Sequence, residues 1–379
     1  MKIAVDLRSL QSGQFTGVEN YTLNLLDALL ALDKKNQYIL FYNSFSDQLK
    51  RGQPSPIDNF QYINTKIIKT RYPNRLLNLA LMFKFIKLEK IIGEFDCLLM
   101  PNLNQFNINH DAKLALTVHD LSPAVTPEYY DLKRKLWHKL LGFRRAFNRA
   151  DVIFAVSEYT KRDLVRLYNI PEQKIKVAYP GIDQKIFHPN ISDSELRRIR
   201  NVYNLPGDYI LFLNTIEPRK NLSNVLKAFE MLKNDVELVI VGKKGWKCRA
   251  IFNEIKNSKK SAKIRYIGYV SDADKPAIIK LAKMLVYPSF YEGFGFQPLE
   301  AMAVGTPTIA SNVTALPEIL GNASLLVNPY DVDGLRNEIE TIMKDENFRN
   351  RLIAKGLEQV KKYGWQDTAR VVLEELNKF

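Results

Sequence analysis

Short apolar runs rich in β-branched residues alternate with longer amphipathic stretches along this chain of 379 residues. In the first half the runs lie at 2–8, 37–43, 96–101, 114–120, 152–157 and 175–181. A second series lies at 209–215, 236–242, 264–270, 284–289, 307–311 and 324–329. Such alternation is typical of parallel sheets covered by helices on both faces. The pattern therefore predicts an α/β protein with two doubly wound, Rossmann-like sheets.

The two series are separated by a polar stretch, residues 183–208, which we interpret as a linker with a short helix. This predicts an N-terminal domain over 1–188 and a C-terminal domain over 189–362, because the length exceeds what one hydrophobic core usually supports. The last helix, at about 363–379, has apolar residues at helical spacing. We expect it to pack back on the N-terminal domain.

Ligands of doubly wound sheets bind at the carboxyl ends of the strands, and two such sheets predict a shared central cleft. After the predicted strand 284–289, Glu292 and Glu300 flank a Gly-Phe-Gly turn whose glycines allow the backbone to approach a ligand. The helix that follows offers free N–H groups to an anion or to sugar hydroxyls. The spacing predicts carboxylates on the order of 10 Å apart, wider than most glycosidase pairs and suited to two ends of one extended ligand.

Two adjacent cations, Arg219 and Lys220, follow the first strand of the second series and open a helix. A helix start already favours an anion, so the pair is well placed to hold a diphosphate and to stabilise it as it leaves. The alternative is a solvated charge pair without a ligand.

The segment E-G-F-G-F-Q-P-L-E at 292–300 resembles the E-x7-E element of the family 4 retaining glycosyltransferases, which have the GT-B fold. The resemblance implies that Glu300 binds the ribose hydroxyls of a nucleotide-sugar donor and that Glu292 contacts the donor sugar. It assigns further contacts with the sugar to the backbone of Gly293, Phe294 and Gly295.

Arg219 and Lys220 match the cationic pair that binds the donor diphosphate in this family. Many members carry an arginine directly after the first strand of this domain, where this chain has Thr215. In the first half, the segment 12–18 resembles the glycine loop that approaches the diphosphate, with Gly17 as its second glycine. The resemblance also implies that His119, at the end of the run 114–120, contacts the transferred sugar.

The function implied is transfer of a hexose, with retention, from a donor such as GDP-mannose to a hydroxyl of a glycan or lipid-linked saccharide in cell-surface polysaccharide biosynthesis. No cofactor or metal is expected. The Asp272-Ala273-Asp274 and Asp331-Val332-Asp333 motifs precede helical stretches and are predicted to cap them. The alternatives are a sugar-nucleotide epimerase, a pyridoxal-phosphate-dependent phosphorylase, and a non-catalytic protein that binds a membrane surface or nucleic acid.

The net charge of +14 is concentrated in two stretches, 66–90 and 131–149, which hold twelve of the excess charges. Their segments 74–92 and 133–147 mix Lys and Arg with Leu, Phe and Trp, as helices on an anionic bilayer do. The alternative is an ordinary helix with its apolar side in the core. A membrane surface is the expected partner, and nucleic acid is not, since no motif for it accompanies the charge.

The two cysteines form no disulfide framework or zinc motif, which fits a reducing compartment. No apolar run approaches the length of a membrane span, and Asp6 and Arg8 interrupt any core of a signal peptide. We therefore expect a cytoplasmic protein, peripheral on the inner face of the cell membrane.

Overall fold

The computed structural model describes residues 1–12, 17–44, 60 and 62–379. These residues divide into two compact units, each formed by more than one stretch of the chain. The first unit contains residues 1–121, 136–181 and 364–379; the second contains residues 122–135 and 182–363. The domain boundaries predicted from the sequence, near residues 188 and 362, remain predictions about functional domains.

Each unit is built on one parallel sheet. In the described part of the first unit, seven strands lie in the order β3-β2-β1-β4-β5-β6-β7. These strands are β1 (Lys2–Asp6), β2 (Gln37–Asn43), β3 (Thr65–Thr70), β4 (Cys97–Met100), β5 (Lys113–Val118), β6 (Val152–Ala155) and β7 (Ile175–Val177). In the second unit, six strands of the described chain lie in the order β10-β9-β8-β11-β12-β13. They are β8 (Tyr209–Leu213), β9 (Glu237–Val241), β10 (Ile264–Gly268), β11 (Met284–Tyr287), β12 (Thr308–Ser311) and β13 (Leu325–Val327).

Helices connect these strands, as parallel pairing requires. The α-helices are α1 (Gly17–Leu32), α2 (Asn74–Met82), α3 (Glu89–Ile92), α4 (Ser122–Val125), α5 (Leu132–Leu141), α6 (Phe143–Arg149), α7 (Glu158–Tyr168), α8 (Asp193–Val202), α9 (Leu222–Met231), α10 (Cys248–Asn257), α11 (Lys275–Leu281), α12 (Phe296–Ala303), α13 (Leu316–Leu320), α14 (Val332–Lys344), α15 (Glu346–Gln359) and α16 (Trp365–Leu376). Short 3-10 helices lie at Arg8–Ser12, Pro127–Tyr129, Glu172–Lys174, Pro218–Lys220, Ser261–Lys263, Gly321–Ala323 and Val360–Lys362.

All twelve strands predicted from apolar runs are present, and the α/β class with two Rossmann-like sheets is confirmed. The structure adds β3, which pairs in parallel with β2 at the edge of its sheet. Its sequence TKIIKT carries two lysines and is only partly buried. Edge strands use lysine to discourage pairing with other chains, so β3 lacks the apolar run that marks the inner strands.

One buried cluster of the second unit lies between its sheet and helices that include α9 and α14. Phe212, Ile240 and Val286, one from each of three neighbouring strands, pack in a buried cluster with Leu226 of α9 and Ile339 of α14. Burial on both sides of the strands explains why their sequences are continuous apolar runs.

The last helix belongs to the first unit. The rings of Trp365 in α16 and Tyr21 in α1 lie 5.6 Å apart at an angle of 67°. The start of α16 lies close to the backbone of Gly181: a Cβ atom added to Gly181 would lie 2.3 Å from the backbone nitrogen of Trp365. Gly181 therefore makes room for the start of this helix.

Both basic amphipathic stretches are interrupted helices. Lys84, with φ of 62°, separates α2 from α3, and Gly142, with φ of 67°, separates α5 from α6. Left-handed backbone of this kind ends a helix.

Residues 122–135 pack with the second unit although they follow a strand of the first sheet. The indole N–H of Trp246 donates to the Tyr129 carbonyl at 2.7 Å, and the Tyr130 ring stacks on Trp246 with ring centroids 5.4 Å apart. The Tyr129 ring stacks on Phe290, with centroids 5.3 Å apart and an angle of 11°. The sequence did not predict this arrangement, because it depends on aromatic pairs more than a hundred residues apart.

Candidate active site

The candidate site lies at the carboxyl ends of β8 and β11 in the second unit. These strands are neighbours in the sheet, although β8 starts the series and β11 comes three strands later. The strand order reverses at this point, which is where ligands of doubly wound sheets bind. The loops after the two strands supply the side chains described below.

The loop after β8 is fixed by its backbone. Asn221, with φ of 62°, ends the short 3-10 helix Pro218–Lys220 and begins α9. The side-chain amide nitrogen of Asn221, Nδ2, donates to the carbonyl oxygens of Pro288 at 2.9 Å and Pro329 at 2.7 Å. One buried side chain thus ties the loop after β8 to the chain that follows β11 and β13.

Four charged side chains of the described residues form a buried group that we call the charge cluster: Glu217, Arg219, Lys220 and Glu292. The Lys220 Nζ lies 2.6 Å from Glu292 Oε1, and Arg219 Nη1 lies 3.5 Å from Glu292 Oε2. Arg219 Nη2 pairs with Glu217 Oε1 at 3.0 Å. The exposed fraction of each of these side chains is at most 10%. Charges so far from water need partners, and this cluster balances two cations with two carboxylates.

The pKa values of the cluster follow from burial and from these contacts. Burial alone would raise the pKa of Glu292, but Lys220 and Arg219 lower it to about 2, so this carboxylate is ionised. Burial raises the pKa of Glu217 above its ordinary value, against the opposing effect of Arg219 and Lys220. The two carboxylates therefore differ: Glu292 is held ionised, and Glu217 is the one closer to protonation.

Glu300 lies on α12. Its ion pair is with Lys275, which is not a member of the charge cluster. Its Oε1 accepts from Lys275 Nζ of α11 at 2.8 Å. Its Oε2 is buried and has no hydrogen-bond partner among the described residues. Leaving a buried carboxylate oxygen unsatisfied is unfavourable, and a ligand hydroxyl would satisfy it.

The glycine-containing turn between the two glutamates has a defined backbone. Gly295 has φ of 101°, and a Cβ atom there would lie 2.5 Å from Leu316 Cδ2. The Glu292 amide donates to Thr314 Oγ1 at 3.1 Å. The Phe294 ring is buried against Phe296 and Tyr363. The Phe294 side chain therefore packs in the interior, and the backbone of Phe294 is the part that a ligand can contact.

In the first unit, His119 follows the end of β5. Its Nε2 lies 2.8 Å from the Pro101 carbonyl oxygen. A carbonyl only accepts, so Nε2 carries the proton and Nδ1 keeps a lone pair. Burial lowers the pKa of His119, which keeps the ring neutral at physiological pH.

The predicted glycine loop falls largely outside the described residues, since residues 13–16 are among those not described. Gly17 is described and is the first residue of α1.

The aspartates considered as metal ligands have structural partners. Asp331 caps α14 by accepting from the Gly334 amide at 2.8 Å, as predicted. Asp274 occupies the N-cap position of α11, but its side chain makes no capping hydrogen bond: its carboxylate pairs with Arg198 at 2.7 Å and accepts from Tyr203 at 2.8 Å. Among residues 1–12, 17–44, 60 and 62–379, no three His, Cys, Asp or Glu side chains are grouped as a metal site requires.

Comparison with known families matches both halves of the chain. The model of the family described as Glycosyltransferase Family 4 matches residues 15–185, and that of Glycosyl transferases group 1 matches residues 194–359. The chain belongs to the family 4 glycosyltransferases. The resemblance stated from the E-x7-E segment is thereby confirmed, as is the prediction that the protein is a glycosyltransferase.

Individual relatives of this glycosyltransferase extend the comparison. O-antigen chain mannosyltransferase B of Escherichia coli is 29% identical over 374 residues, which cover 93% of each protein. Serotype-specific mannosyltransferase WbdA of Escherichia coli is 31% identical over 269 residues, covering 69% of this chain and 33% of that protein. The solved structure of sucrose-phosphate synthase from Thermosynechococcus elongatus matches with a TM-score of 0.76 at 21% identity, covering 100% of this chain and 98% of that one. This structural likeness, with the two parallel sheets, confirms the GT-B fold.

Sequence reasoning missed several residues that arrange this site. These residues are Glu217, which precedes the two cations in the loop after β8, and Lys275 of α11. Glu217 and Lys275 pair with Arg219 and Glu300, respectively. A signal for Glu217 was available: an acid two residues before an arginine in a loop that follows a buried strand.

Proposed function

We propose that this glycosyltransferase moves mannose from GDP-mannose, or from a closely related nucleotide-diphosphate sugar, to a hydroxyl of a glycan or lipid-linked saccharide. The observation that carries the proposal is the buried Arg219 and Lys220 at the switch point of the second sheet. The choice of mannose rests on the two Escherichia coli relatives, both named as mannosyltransferases. The same relatives, named for the O-antigen or a serotype, support a role in cell-surface polysaccharide biosynthesis.

The donor is proposed to lie with its ribose on Glu300 and its diphosphate on Arg219 and Lys220. The unpartnered Oε2 of Glu300 provides an acceptor for a ribose hydroxyl, while Lys275 keeps Oε1. A carboxylate that accepts from a hydroxyl forms a strong, charge-assisted hydrogen bond.

The transferred sugar is proposed to contact Glu292 and the backbone of Gly293, Phe294 and Gly295. His119 is assigned a contact with the transferred sugar on family resemblance alone; in the structure its Nδ1 keeps a lone pair that can accept from a hydroxyl. Gly17 is assigned to the diphosphate, as the family resemblance implies.

Departure of the nucleoside diphosphate builds negative charge on its terminal phosphate. Arg219 and Lys220 are fixed and nearly shielded from water, so they stabilise that charge without reorganising. We propose that these cations serve in place of a metal ion and that the reaction proceeds with retention, the latter on family resemblance alone.

A test of the donor site uses thermal unfolding in the presence of GDP, UDP, ADP and dTDP, each with and without EDTA. We expect one nucleotide, GDP on the present proposal, to raise the melting temperature equally in both conditions. Glu300→Gln should weaken binding of that nucleotide by about tenfold, since one charge-assisted hydrogen bond is reduced. Failure of all four nucleotides to stabilise the protein would contradict the proposed function, and loss of the effect in EDTA would contradict metal independence.

The acceptor is proposed to be presented at an anionic membrane surface, on the inner face of the cell membrane. Within the described ranges, no helix has the length and apolarity needed to cross a bilayer. Helix α5 has no buried residue, which supports a surface role for it, whereas α2 buries Leu77 and Leu81 and α6 buries Phe147, as an ordinary amphipathic helix does. Large apolar side chains are exposed on and next to α2 and α5: Leu76, Leu79, Phe83, Phe85, Leu132, Leu136, Trp137 and Leu140.

A chain of partly buried hydrogen bonds connects α2 with the end of α5 in the first unit. Arg8 donates to Asn78 at 3.4 Å and to the Gln105 carbonyl at 2.7 Å. The Gln105 amide donates to the Leu140 carbonyl at 2.7 Å. This link supports a single membrane-facing surface formed by both helices.

Membrane attachment is tested by co-sedimentation with vesicles of phosphatidylcholine, with and without phosphatidylserine. We expect binding only to the anionic vesicles, and release at about 1 M salt, where screening shortens to about 3 Å. Replacing Lys133, Lys135 and Lys139 by serine should lower partitioning roughly 100-fold, because each cation near the leaflet contributes about 1 kcal/mol. Arg134 is left in place because it stacks on Trp246 and pairs with Asp131.

The matched control replaces three exposed lysines of the second unit, Lys256, Lys259 and Lys355, by serine. It makes the same change in net charge on residues that belong to neither α2 nor α5. Equal loss of binding in both variants would attribute the attraction to net charge alone, and equal recovery from both vesicle types would leave a water-soluble acceptor as the better proposal.

A further inference from the structure

In the charge cluster, both cations are already paired with carboxylates. Arg219 directs Nη2 at Glu217 and Nη1 at Glu292 and at the Tyr291 carbonyl, while Lys220 pairs with Glu292. With both carboxylates ionised, the cluster is neutral. A donor diphosphate, with two negative charges, therefore enters a group whose cations already have partners.

The two carboxylates respond differently to such a ligand. Glu292 has two cationic neighbours and keeps Lys220 when Arg219 turns to the diphosphate. Among the described residues, Glu217 forms its ion pair with Arg219. The Glu217 side chain is 2% exposed, so water cannot replace that partner. A buried carboxylate without a counter-ion is strongly unfavourable unless it takes up a proton.

The remaining cations near Glu217 are paired elsewhere. Lys220, whose charge also lowers the pKa of Glu217, forms its ion pair with Glu292 at 2.6 Å. The chain after β9 packs against it, since a Cβ atom on Gly245 would lie 3.2 Å from the Glu217 Cβ. Three lysines of that chain have other neighbours: Lys243 lies over the Tyr269 ring, Lys244 lies over the Phe252 ring, and Lys247 donates to the Glu128 carbonyl at 2.8 Å.

We propose that Glu217 is the positioning residue of Arg219 and that it takes up one proton from solution when the diphosphate of the donor binds. The inference rests on the proposed donor site. In the free protein the Glu217 carboxylate holds the guanidinium in place. On binding, a proton adds to a Glu217 oxygen, the carboxylate becomes a neutral carboxylic acid, and the full charge of Arg219 is available to the ligand.

The raised pKa of Glu217 in the free protein sets the direction of the pH dependence. Below that pKa the group is protonated in both states, so binding takes up no proton. Above it, and below the still higher pKa of the complex, binding takes up one proton and affinity falls as pH rises, by at most about tenfold per pH unit.

The experiment is isothermal titration calorimetry with GDP-mannose at several values from about pH 6 to about pH 8.5, each in PIPES, HEPES and Tris. The dependence of the observed heat on the ionisation enthalpy of the buffer gives the protons taken up. A nucleotide sugar is required because the terminal phosphate of GDP itself titrates near pH 6. We expect uptake that approaches about one proton in part of this range.

Glu217→Gln keeps the shape and a hydrogen-bond acceptor for Arg219 but cannot titrate. We expect no proton uptake in this variant, and about tenfold tighter binding than wild type at the upper end of the pH range. Glu340→Gln, a change at a partly exposed carboxylate paired with Lys344 and outside the charge cluster, is the matched control and should behave as wild type.

Lys220 is the competing proton acceptor, because burial and Arg219 lower its pKa. Uptake that persists in Glu217→Gln would assign the proton to Lys220 and overturn the proposal. Binding without uptake at every pH would overturn it as well. If neither GDP-mannose nor any other nucleotide sugar binds, the proposed function itself fails, which is a separate result.

Discussion

Replacing Glu292 by glutamine is expected to lower the turnover of sugar transfer roughly 100-fold, without weakening the binding of bare nucleoside diphosphate. Glu292 is proposed to contact the transferred sugar, so its charge matters in the reaction and not for the nucleotide alone. The same carboxylate neutralises Lys220 and Arg219 in the free protein. Glutamine removes that competing negative charge, and GDP should therefore bind equally well or more tightly.

The measurement pairs initial rates of transfer or donor hydrolysis with calorimetric titration of GDP. The variant leaves an excess of buried positive charge, which should lower its melting temperature and increase the stabilisation that GDP provides. Glu300→Gln is the contrasting variant, since its proposed partner is the ribose. Equal weakening of GDP binding by the two changes would contradict the assignment of the glutamates to opposite ends of the donor.

Gly242→Ala is expected to destabilise the second unit by more than about 4 kcal/mol. Gly242 directly follows β9 with φ of 139°, and a Cβ atom there would lie 1.8 Å from the Asn214 carbonyl oxygen. No rotamer of a neighbour can relieve a clash with backbone, so the ends of β8 and β9 must separate. That movement breaks the hydrogen bond from the Asn214 amide to the Val241 carbonyl, which is 2.9 Å long.

We expect the midpoint of thermal unfolding of this variant to fall by roughly 8 to 16 °C, as followed by circular dichroism. The control is Gly207→Ala in the same unit, where a Cβ atom would meet nothing within 4 Å. It should unfold within a few degrees of the wild type. A midpoint for Gly242→Ala equal to that of the control would show that the loop after β8 is more adaptable than its contacts indicate.

The strands of both sheets could be predicted from sequence because each inner strand is buried on both faces and so reads as an apolar run. Strand β3 could not, since an edge strand with Lys66 and Lys69 meets water and lacks that run. The breaks after α2 and α5 depend on the left-handed residues Lys84 and Gly142, of which only the glycine is a recognisable signal.

At the site, the sequence identified the residue types and their positions at strand ends, but not their partners. Arg219 and Lys220 were interpreted as cations awaiting a diphosphate, whereas the structure pairs them with Glu217 and Glu292. The Lys220–Glu292 pair joins residues 72 positions apart, and local patterns carry no information on such a contact. The association of residues 122–135 with the second unit is hidden for the same reason.

The placement of the donor is tested most directly by a crystal structure of the protein with GDP, or with whichever nucleotide gives the largest thermal stabilisation. The account predicts a ribose hydroxyl within about 2.6 to 3.2 Å of Glu300 Oε2 and the diphosphate against Arg219 and Lys220. A nucleotide bound in the opposite orientation, with its ribose at Glu292, or bound away from the carboxyl ends of β8 and β11, would contradict it.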